Sequence, residues 1–161
     1  MGNTNSEKEK FEVSSFTYST PRPFSAQRLE VFINEKKNWR GIHHSDGFFW
    51  VGDDHRIAYQ WKQIEEKTEF TILGVWIVSV AENKWVRSDG LSLDQGIEWD
   101  PVFGDREQRI EFVGEAMDEV KIREDLDSCL LNEKEGIACI ESLGTLPSIF
   151  PSLILKCDCD F

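Results

Sequence analysis

Residues 47–62 read GFFWVGDDHRIAYQWK, and this stretch decides the fold class. Its first part ends in a fully apolar run, a Gly-Asp-Asp turn signal follows, and residues 56–62 then alternate between apolar and polar side chains. Phe70 and Ile72 begin another alternation after a Glu-Glu-Lys turn. We therefore expect an antiparallel meander over residues 48–73.

The periodicities on either side of this meander predict further strands and two helices. The Ser25 hydroxyl is placed to accept a free amide in the first turn of one helix, and Asp118 is placed in the same way before the other. No sustained period marks residues 74–100, which we expect to be mixed strand and loop. We expect strands over 14–20, 42–51 and 108–113, and helices over about 25–37 and 119–131.

This order of elements predicts an α+β fold. It should contain one mostly antiparallel sheet of four to five strands, with helices packed on one face. The length of 161 residues fits one domain. We expect that domain over residues 14–150, after a loose polar segment of residues 1–13 and before a tail of residues 151–161 that carries a Cys-x-Cys. The chain from Gly136 onward, which contains Pro147 and Pro151, is also interpreted as tail.

The charge balance excludes several classes of partner. Lys and Arg number 18 and Asp and Glu number 30, which gives a net charge of −12. A surface this acidic repels phosphate backbones and anionic membranes, so we expect no nucleic-acid partner. No apolar run approaches the roughly 20 residues of a transmembrane helix. The four cysteines have no regular spacing and no secretory signal precedes them, which indicates reduced thiols and a cytoplasmic location.

Enzyme signatures are missing from the sequence. Gly47 and Gly52 have the spacing of a phosphate-binding loop, but Asp53-Asp54 follows, and two carboxylates would repel phosphate. We therefore expect no catalytic residues. Gly2 and Ser6 fit the short pattern for N-myristoylation, although a single acyl chain binds membranes only marginally.

The cysteine and histidine residues offer one candidate metal site. Cys157 and Cys159 project to the same side of an extended segment, where two thiolates beside Asp158 or Asp160 could hold Zn²⁺ or Cu⁺. A reduced tail without a metal is the alternative. His43, His44 and His55 are expected to be exposed or singly hydrogen-bonded, and Cys129 is expected to pack in the core.

A series of short motifs along the chain identifies a family. The motifs are Ser14-Ser15-Phe16-Thr17-Tyr18, Arg22-Pro23-Phe24, Arg28-Leu29, Gly47-Phe48-Phe49-Trp50, Trp61, Asp100-Pro101, Gly104-Asp105-Arg106, Gln108, Phe112-Val113-Gly114, Met117-Asp118 and Leu126-Asp127-Ser128-Cys129-Leu130-Leu131. In combination they resemble the C-terminal domain of CobW-family P-loop GTPases of the zinc-chaperone type, over about residues 14–150.

The resemblance implies an accessory domain that stands alone without the GTPase domain. Full-length family members are GTPases linked to the delivery of metals such as zinc or cobalt, and their nucleotide site and Cys-x-Cys-Cys motif lie in the missing part. Cys157-Asp158-Cys159 is not that motif. The family usually has a basic pair around a small residue before the Gly-Phe-Phe-Trp strand, whereas this chain has His44-Ser45-Asp46.

Three hypotheses about function follow. The first is a non-catalytic domain in metal homeostasis that binds a partner protein, such as a CobW-type GTPase or a metal-client protein, through aromatic residues on the sheet face without helices. The second is a small metal carrier that binds Zn²⁺ through Cys157 and Cys159. The third is a remnant of a split GTPase with no autonomous function.

Overall fold

The computed structural model describes residues 12–80, 84, 90–92 and 95–142, and these form one five-stranded antiparallel sheet with three α-helices. The strand order is β1-β5-β2-β3-β4. This confirms the predicted α+β class. The elements are β1 (Val13–Thr20), α1 (Ala26–Asn34), β2 (Ile42–Phe49), β3 (Ile57–Ile64), β4 (Lys67–Val75), β5 (Gln108–Glu115), α2 (Glu119–Ser128) and α3 (Glu133–Glu141).

One face of the sheet, the covered face, forms the main core. Its central row crosses all five strands through directly opposed residues. Helices α1 and α2 lie over this row and bury Leu29 and Leu126 in the same cluster. Each large apolar side chain buried there contributes about 1.5–3 kcal/mol. The row consists of Tyr18, Ile110, Gly47, Trp61 and Phe70.

Gly47 is required because β2 and β5 pack closely at this point. A Cβ atom on Gly47 would lie 2.0 Å from the carbonyl oxygen of Arg109 on the neighbouring strand. No side chain fits in that gap, so only glycine lets β2 and β5 pair at this point.

The two predicted helices are present but end earlier than expected. Ser25 caps α1 as predicted, with its hydroxyl accepting from the amide of Arg28. The helix ends at Asn34 because buried Trp39 turns back and donates its indole N–H to the carbonyl of Ile33 at 3.0 Å. Helix α2 ends at Ser128 because the amide of Leu131 bonds instead to the carbonyl of Pro23.

The interpretation of the chain after Gly136 as tail is wrong over its first part. Helix α3 occupies Glu133–Glu141, and a capping box joins Asn132 with Glu135 at its start. Gly136 is buried where an added Cβ would lie 3.0 Å from Pro23 and 3.1 Å from Phe103. The absence of a side chain at this position permits close packing against both residues.

A second, smaller apolar cluster lies at one end of the sheet. Trp50, Trp76 and Phe103 form its centre, and Ile140 of α3 packs against them. Residues 77–79 form a 3-10 turn beside it. Part of the stretch expected to be mixed strand and loop falls outside the described residues, as do most of residues 1–13 and all of the tail of residues 151–161. No helix in the described ranges is long and apolar enough to cross a membrane.

A buried polar trio in the covered face gives a first test of this fold. The Ser45 hydroxyl donates to Gln63 Oε1 at 2.7 Å and accepts from the Trp61 indole N–H at 2.8 Å. Ser45→Ala leaves both partners buried and unsatisfied, so we expect it to lower the free energy of unfolding by about 2 kcal/mol. Ser15→Ala, on the opposite face of β1, should change it by less than about 0.5 kcal/mol. Urea denaturation measures both, and equal effects would contradict the assigned network.

Candidate interaction surface

The motif residues between Asp100 and Gln108 are engaged in hydrogen bonds inside the protein. The Asp105 carboxylate accepts from the backbone amides of Ile77 at 2.8 Å and Val78 at 3.0 Å. The Asp100 carboxylate closes its own turn by accepting two further backbone amides. Asp105 therefore stabilises the 3-10 turn of residues 77–79, and Asp100 stabilises its own loop.

Arg106 is a buried cation held by backbone and aromatic groups. Its guanidinium donates to the carbonyl of His55 at 2.6 Å and to that of Phe103 at 3.1 Å, and it lies 5.2 Å from the centre of the Trp50 ring. Burial lowers the pKa of Arg106 to about 10, an effect that the Asp105 carboxylate opposes. Arg106 thus remains charged at neutral pH and joins three separate segments.

Gln108 is fully buried and satisfies three backbone groups. Its Oε1 accepts from the amide of Trp50 at 2.7 Å. Its Nε2 donates to the carbonyls of Trp50 at 2.8 Å and Arg22 at 3.0 Å. The side chains of Asp105, Arg106 and Gln108 therefore stabilise the fold. A binding surface has to lie elsewhere on the domain.

Replacement of Gln108 should be severe because of these bonds. Gln108→Leu keeps the volume but removes the donor and the acceptor that Trp50 uses, so we expect a loss of about 3 kcal/mol in the free energy of unfolding. Gln60→Leu makes the same exchange on the opposite sheet face and should cost about 1 kcal/mol or less. Thermal unfolding compares the two. A Gln108→Leu variant as stable as Gln60→Leu would rule out this structural role.

The sheet face opposite the main core, the open face, carries a row of charged side chains. The register places Asp46 directly between Glu111 of β5 and Lys62 of β3, and Glu69 of β4 follows Lys62. These four residues are exposed. Asp46 and Glu111 are like charges on directly opposed positions, an arrangement that costs stability in a sheet. A row of three carboxylates and one ammonium is therefore the main chemical feature of the open face.

The residues that stand in place of the family's basic pair, His44-Ser45-Asp46, lie on β2 and include Asp46 of this charged row. His44 and Asp46 are exposed on the open face, whereas Ser45 between them is buried in the polar trio of the covered face. The alternation of a strand thus separates the structural residue from the two surface residues. Substitution here changes the charge of the open face without disturbing the core.

The expected aromatic patch on the open face is not found among the described residues. Trp39, Trp50, Trp61 and Trp76 are buried, Trp99 is exposed in the loop before Asp100, and Trp85 lies outside the described residues. Phe48 points to the open face but is half-buried against the Trp76 ring, with 6.1 Å between their centroids. Indole rings are large apolar groups, and the fold uses these four in its two cores.

Within the described residues, no group of three or more His, Cys, Asp or Glu side chains could hold a metal ion. His43 and His44 are exposed, and the His55 Nδ1 lies 3.3 Å from the Arg106 guanidinium. Burial, together with the charges of Arg106 and Arg56, lowers the pKa of His55, which disfavours its cationic form. The described histidines therefore lack the neighbouring ligands that a zinc site needs. Cys157 and Cys159 lie outside the described residues.

Cys129 is buried in the main core, as predicted. Burial raises the pKa of its thiol to about 11, so the thiol is protonated and poorly nucleophilic at neutral pH.

Comparison with known proteins places these features in a family. Residues 13–130 match the family described as the cobalamin synthesis protein cobW C-terminal domain. The zinc-regulated GTPase metalloprotein activator 1 of Dictyostelium discoideum is 27% identical over 128 residues, which make up 78% of this chain. The chain spans 27% of that relative's length.

Solved structures show the same fold. A Zn(II)-bound YjiA GTPase from E. coli superimposes with a TM-score of 0.51 at 9% identity, and a Zn(II)-bound triple mutant of the YjiA GTPase does so with 0.53 at 10%. Each comparison covers 74% of this chain and 30% of the other.

Proposed function

Because this chain belongs to the cobalamin synthesis protein cobW C-terminal domain family, we propose that it is a non-catalytic accessory domain that binds a partner protein in zinc homeostasis. The relatives that it matches are GTPases several times longer than the matched part. The motif residues Arg106 and Gln108 hold structural hydrogen bonds, which agrees with such a role. A cytoplasmic setting fits the irregular spacing of its four cysteines.

The open sheet face is the observation that carries this proposal. Its central row is exposed and contains the opposed pair Asp46 and Glu111, whose mutual repulsion does not help the fold. Lys62 offsets part of this repulsion from the other side of Asp46, whereas neighbouring Arg109 is already paired with Glu107 at 2.8 Å. A surface that retains a destabilising charge pair is a candidate for binding, because a partner of opposite charge relieves the repulsion.

The partner that fits this face presents basic residues. We propose that it is a GTPase domain of the kind to which the matched relatives belong, supplied by a separate polypeptide or by further residues of a longer one. Lys or Arg side chains of that domain would lie over the carboxylates of Glu111, Asp46 and Glu69. Such contacts are screened by salt, so binding should weaken as ionic strength rises.

Charge reversal at Asp46 tests this interface. Asp46→Lys places an ammonium between Glu111 and Lys62, which exchanges one repulsion inside the domain for another while opposing a basic partner. We expect it to raise the Kd for a family GTPase domain about tenfold, measured by calorimetry at low salt. Glu124→Lys makes the same charge change on exposed α2 and should leave the Kd unchanged.

Three results would reject this surface. They are no binding by the parent chain, equal effects of Asp46→Lys and Glu124→Lys, and tighter binding by Asp46→Lys. The last would indicate an acidic partner.

A second proposal is that the Cys157 and Cys159 thiolates bind zinc. It is favoured by the relatives, whose names describe zinc regulation or bound Zn(II). Two thiolates and a nearby carboxylate supply three of the four ligands that tetrahedral zinc takes. The site would exchange its metal readily, because the fourth position stays open to water or to a ligand from another protein.

Competition with a chromophoric chelator measures this binding. We expect the reduced chain to take up one Zn²⁺, and the Cys157→Ser/Cys159→Ser variant to take up none. Cys139→Ser removes a half-buried thiol of α3 and serves as the control that should keep full binding. Uptake that survives in the double variant, or none in the parent chain, would eliminate the tail as a zinc site.

A further inference from the structure

Trp99 differs from the other described tryptophans in its exposure. It keeps 39% of its surface exposed, whereas the others are at most 7% exposed. Ile97 and Val102, in the same loop, are 40% and 39% exposed. Tryptophan is among the residues that contribute most binding energy at protein interfaces. The loop that carries Trp99 is therefore a candidate for contact with a partner.

Trp99 lines a cavity, the Trp99 cavity, between its own loop and the end of β1. The cavity has a volume of about 340 Å³, which lies within the range of roughly 300–1,000 Å³ that is typical of ligand pockets. Pro21 adds a second apolar group to its wall. Three carboxylates also line it, those of Glu98, Asp100 and Glu107. The cavity therefore combines an aromatic ring with negative charge.

Each of these carboxylates keeps capacity to accept a hydrogen bond. Glu107 Oε1 accepts from the Ser19 hydroxyl at 2.6 Å and from the Arg109 guanidinium at 2.8 Å, and no bond among the described residues uses its Oε2. Asp100 Oδ1 accepts two amides of its own loop, and no such bond uses its Oδ2. Glu98 is exposed and pairs with none of the described residues. The cavity can therefore accept hydrogen bonds from a cationic donor.

Arg106 also lines the cavity, but its guanidinium is bonded to groups outside it. It donates to the carbonyls of His55 and Phe103 and to the Ser79 hydroxyl, and it lies over the Trp50 ring. Three carboxylates against one guanidinium leave the described lining with an excess of negative charge. Charge complementarity therefore favours a cation as the occupant of the cavity.

The loop that follows Trp99 is held in a fixed conformation. Asp100 and Gly104 exchange two backbone hydrogen bonds, at 2.8 and 2.9 Å. Phe103 between them is buried, with 5.4 Å between the centroids of its ring and that of Trp50. A site whose walls are already ordered loses less conformational entropy when a ligand binds. The geometry of the Trp99 cavity therefore does not depend on an occupant.

The Trp99 cavity borders the open face. Ser19 and Arg109 are directly opposed on that face, and both bond to Glu107 at the cavity wall. A partner that covers the open face would also meet the cavity. The planar guanidinium of arginine stacks on an indole ring and donates paired hydrogen bonds to a carboxylate, which a lysine ammonium does not. We propose that the Trp99 cavity binds an arginine side chain of a partner protein.

The inference rests on the proposed function only for the source of the arginine, so its test uses a probe that needs no partner protein. N-acetyl-arginine amide is titrated into the full chain while NMR follows the indole N–H signals, and Trp99→Phe identifies the signal of Trp99. We expect that signal to shift to saturation with a Kd in the millimolar range, as for a single side chain. The signals of the four buried tryptophans should stay in place.

N-acetyl-citrulline amide is the matched control, because its urea group has nearly the shape of the guanidinium but no charge. We expect it to bind at least about tenfold more weakly. Glu98→Gln should weaken binding of the arginine probe about threefold, and Glu124→Gln, which removes the same charge from exposed α2, should leave it unchanged. No shift of the Trp99 signal, equal binding of the two probes, or equal effects of the two variants would overturn the proposal.

Calorimetry with the family GTPase domain separates this proposal from the proposed function. Trp99→Leu should raise the Kd about tenfold, whereas Val120→Ala, which truncates an exposed apolar side chain of α2, should leave it unchanged. Equal effects of these two variants would overturn the Trp99 cavity as the site of a partner arginine. Failure of the arginine probe, with Asp46→Lys still weakening the complex, would overturn the cavity and keep the proposed function. Binding of the probe without any binding of the GTPase domain would overturn the proposed partner and support the cavity.

Discussion

The hydrogen bonds of the Gln108 side chain are the constraint on which the rest of the structure depends. Three segments meet at this residue: the start of β5, Trp50 directly after β2, and the loop between β1 and α1 at Arg22. None of these backbone groups lies in a regular ladder at that point, and all would be costly to bury without a partner. One primary amide has the donor and acceptor capacity to serve all three.

The segment between β1 and α1, which Gln108 holds through Arg22, also positions the helices. The Phe24 amide bonds to the carbonyl of Trp50 at 3.2 Å, and the Ser25 amide bonds to that of Cys129 at 2.8 Å. Arg22 and Arg28 add bonds to the carbonyls that end α2. The segment between β1 and α1 is thus tied to β2 on one side and to α2 on the other. This brings α1 and α2 onto the same sheet face. Among the described residues, the opposite face is covered only at the small Trp76 cluster.

Local pattern predicted the five strands and two of the three described helices, but not the surfaces that they create. Alternation at Tyr59 and Trp61 predicts β3, and Ser25 predicts the start of α1, because both signals depend on neighbouring residues alone. The Asn132-x-x-Glu135 capping box is a local signal that predicts α3. Gly136 directly after it has a low helix propensity, which favours the opposite interpretation. The opposition of Asp46 and Glu111 depends on a register between strands 65 residues apart in sequence, which no local period encodes. The buried place of Arg106 is unpredictable for the same reason, since its partners come from distant loops.

Strand β2 supplies both core and surface residues, so the charge of the open face can change without repacking of the core. In β2, Ser45 completes a network with Trp61 and Gln63 in the core, whereas His44 and Asp46 on either side reach the open face. A substitution at Ser45 must preserve two buried bonds, so its freedom is small. Substitutions at His44 and Asp46 meet only solvent and their cross-strand neighbours, so the sign of the charge can reverse at a cost below about 1 kcal/mol. The alternation of the strand therefore lets the charge of the open face change while the packing beneath it stays constant.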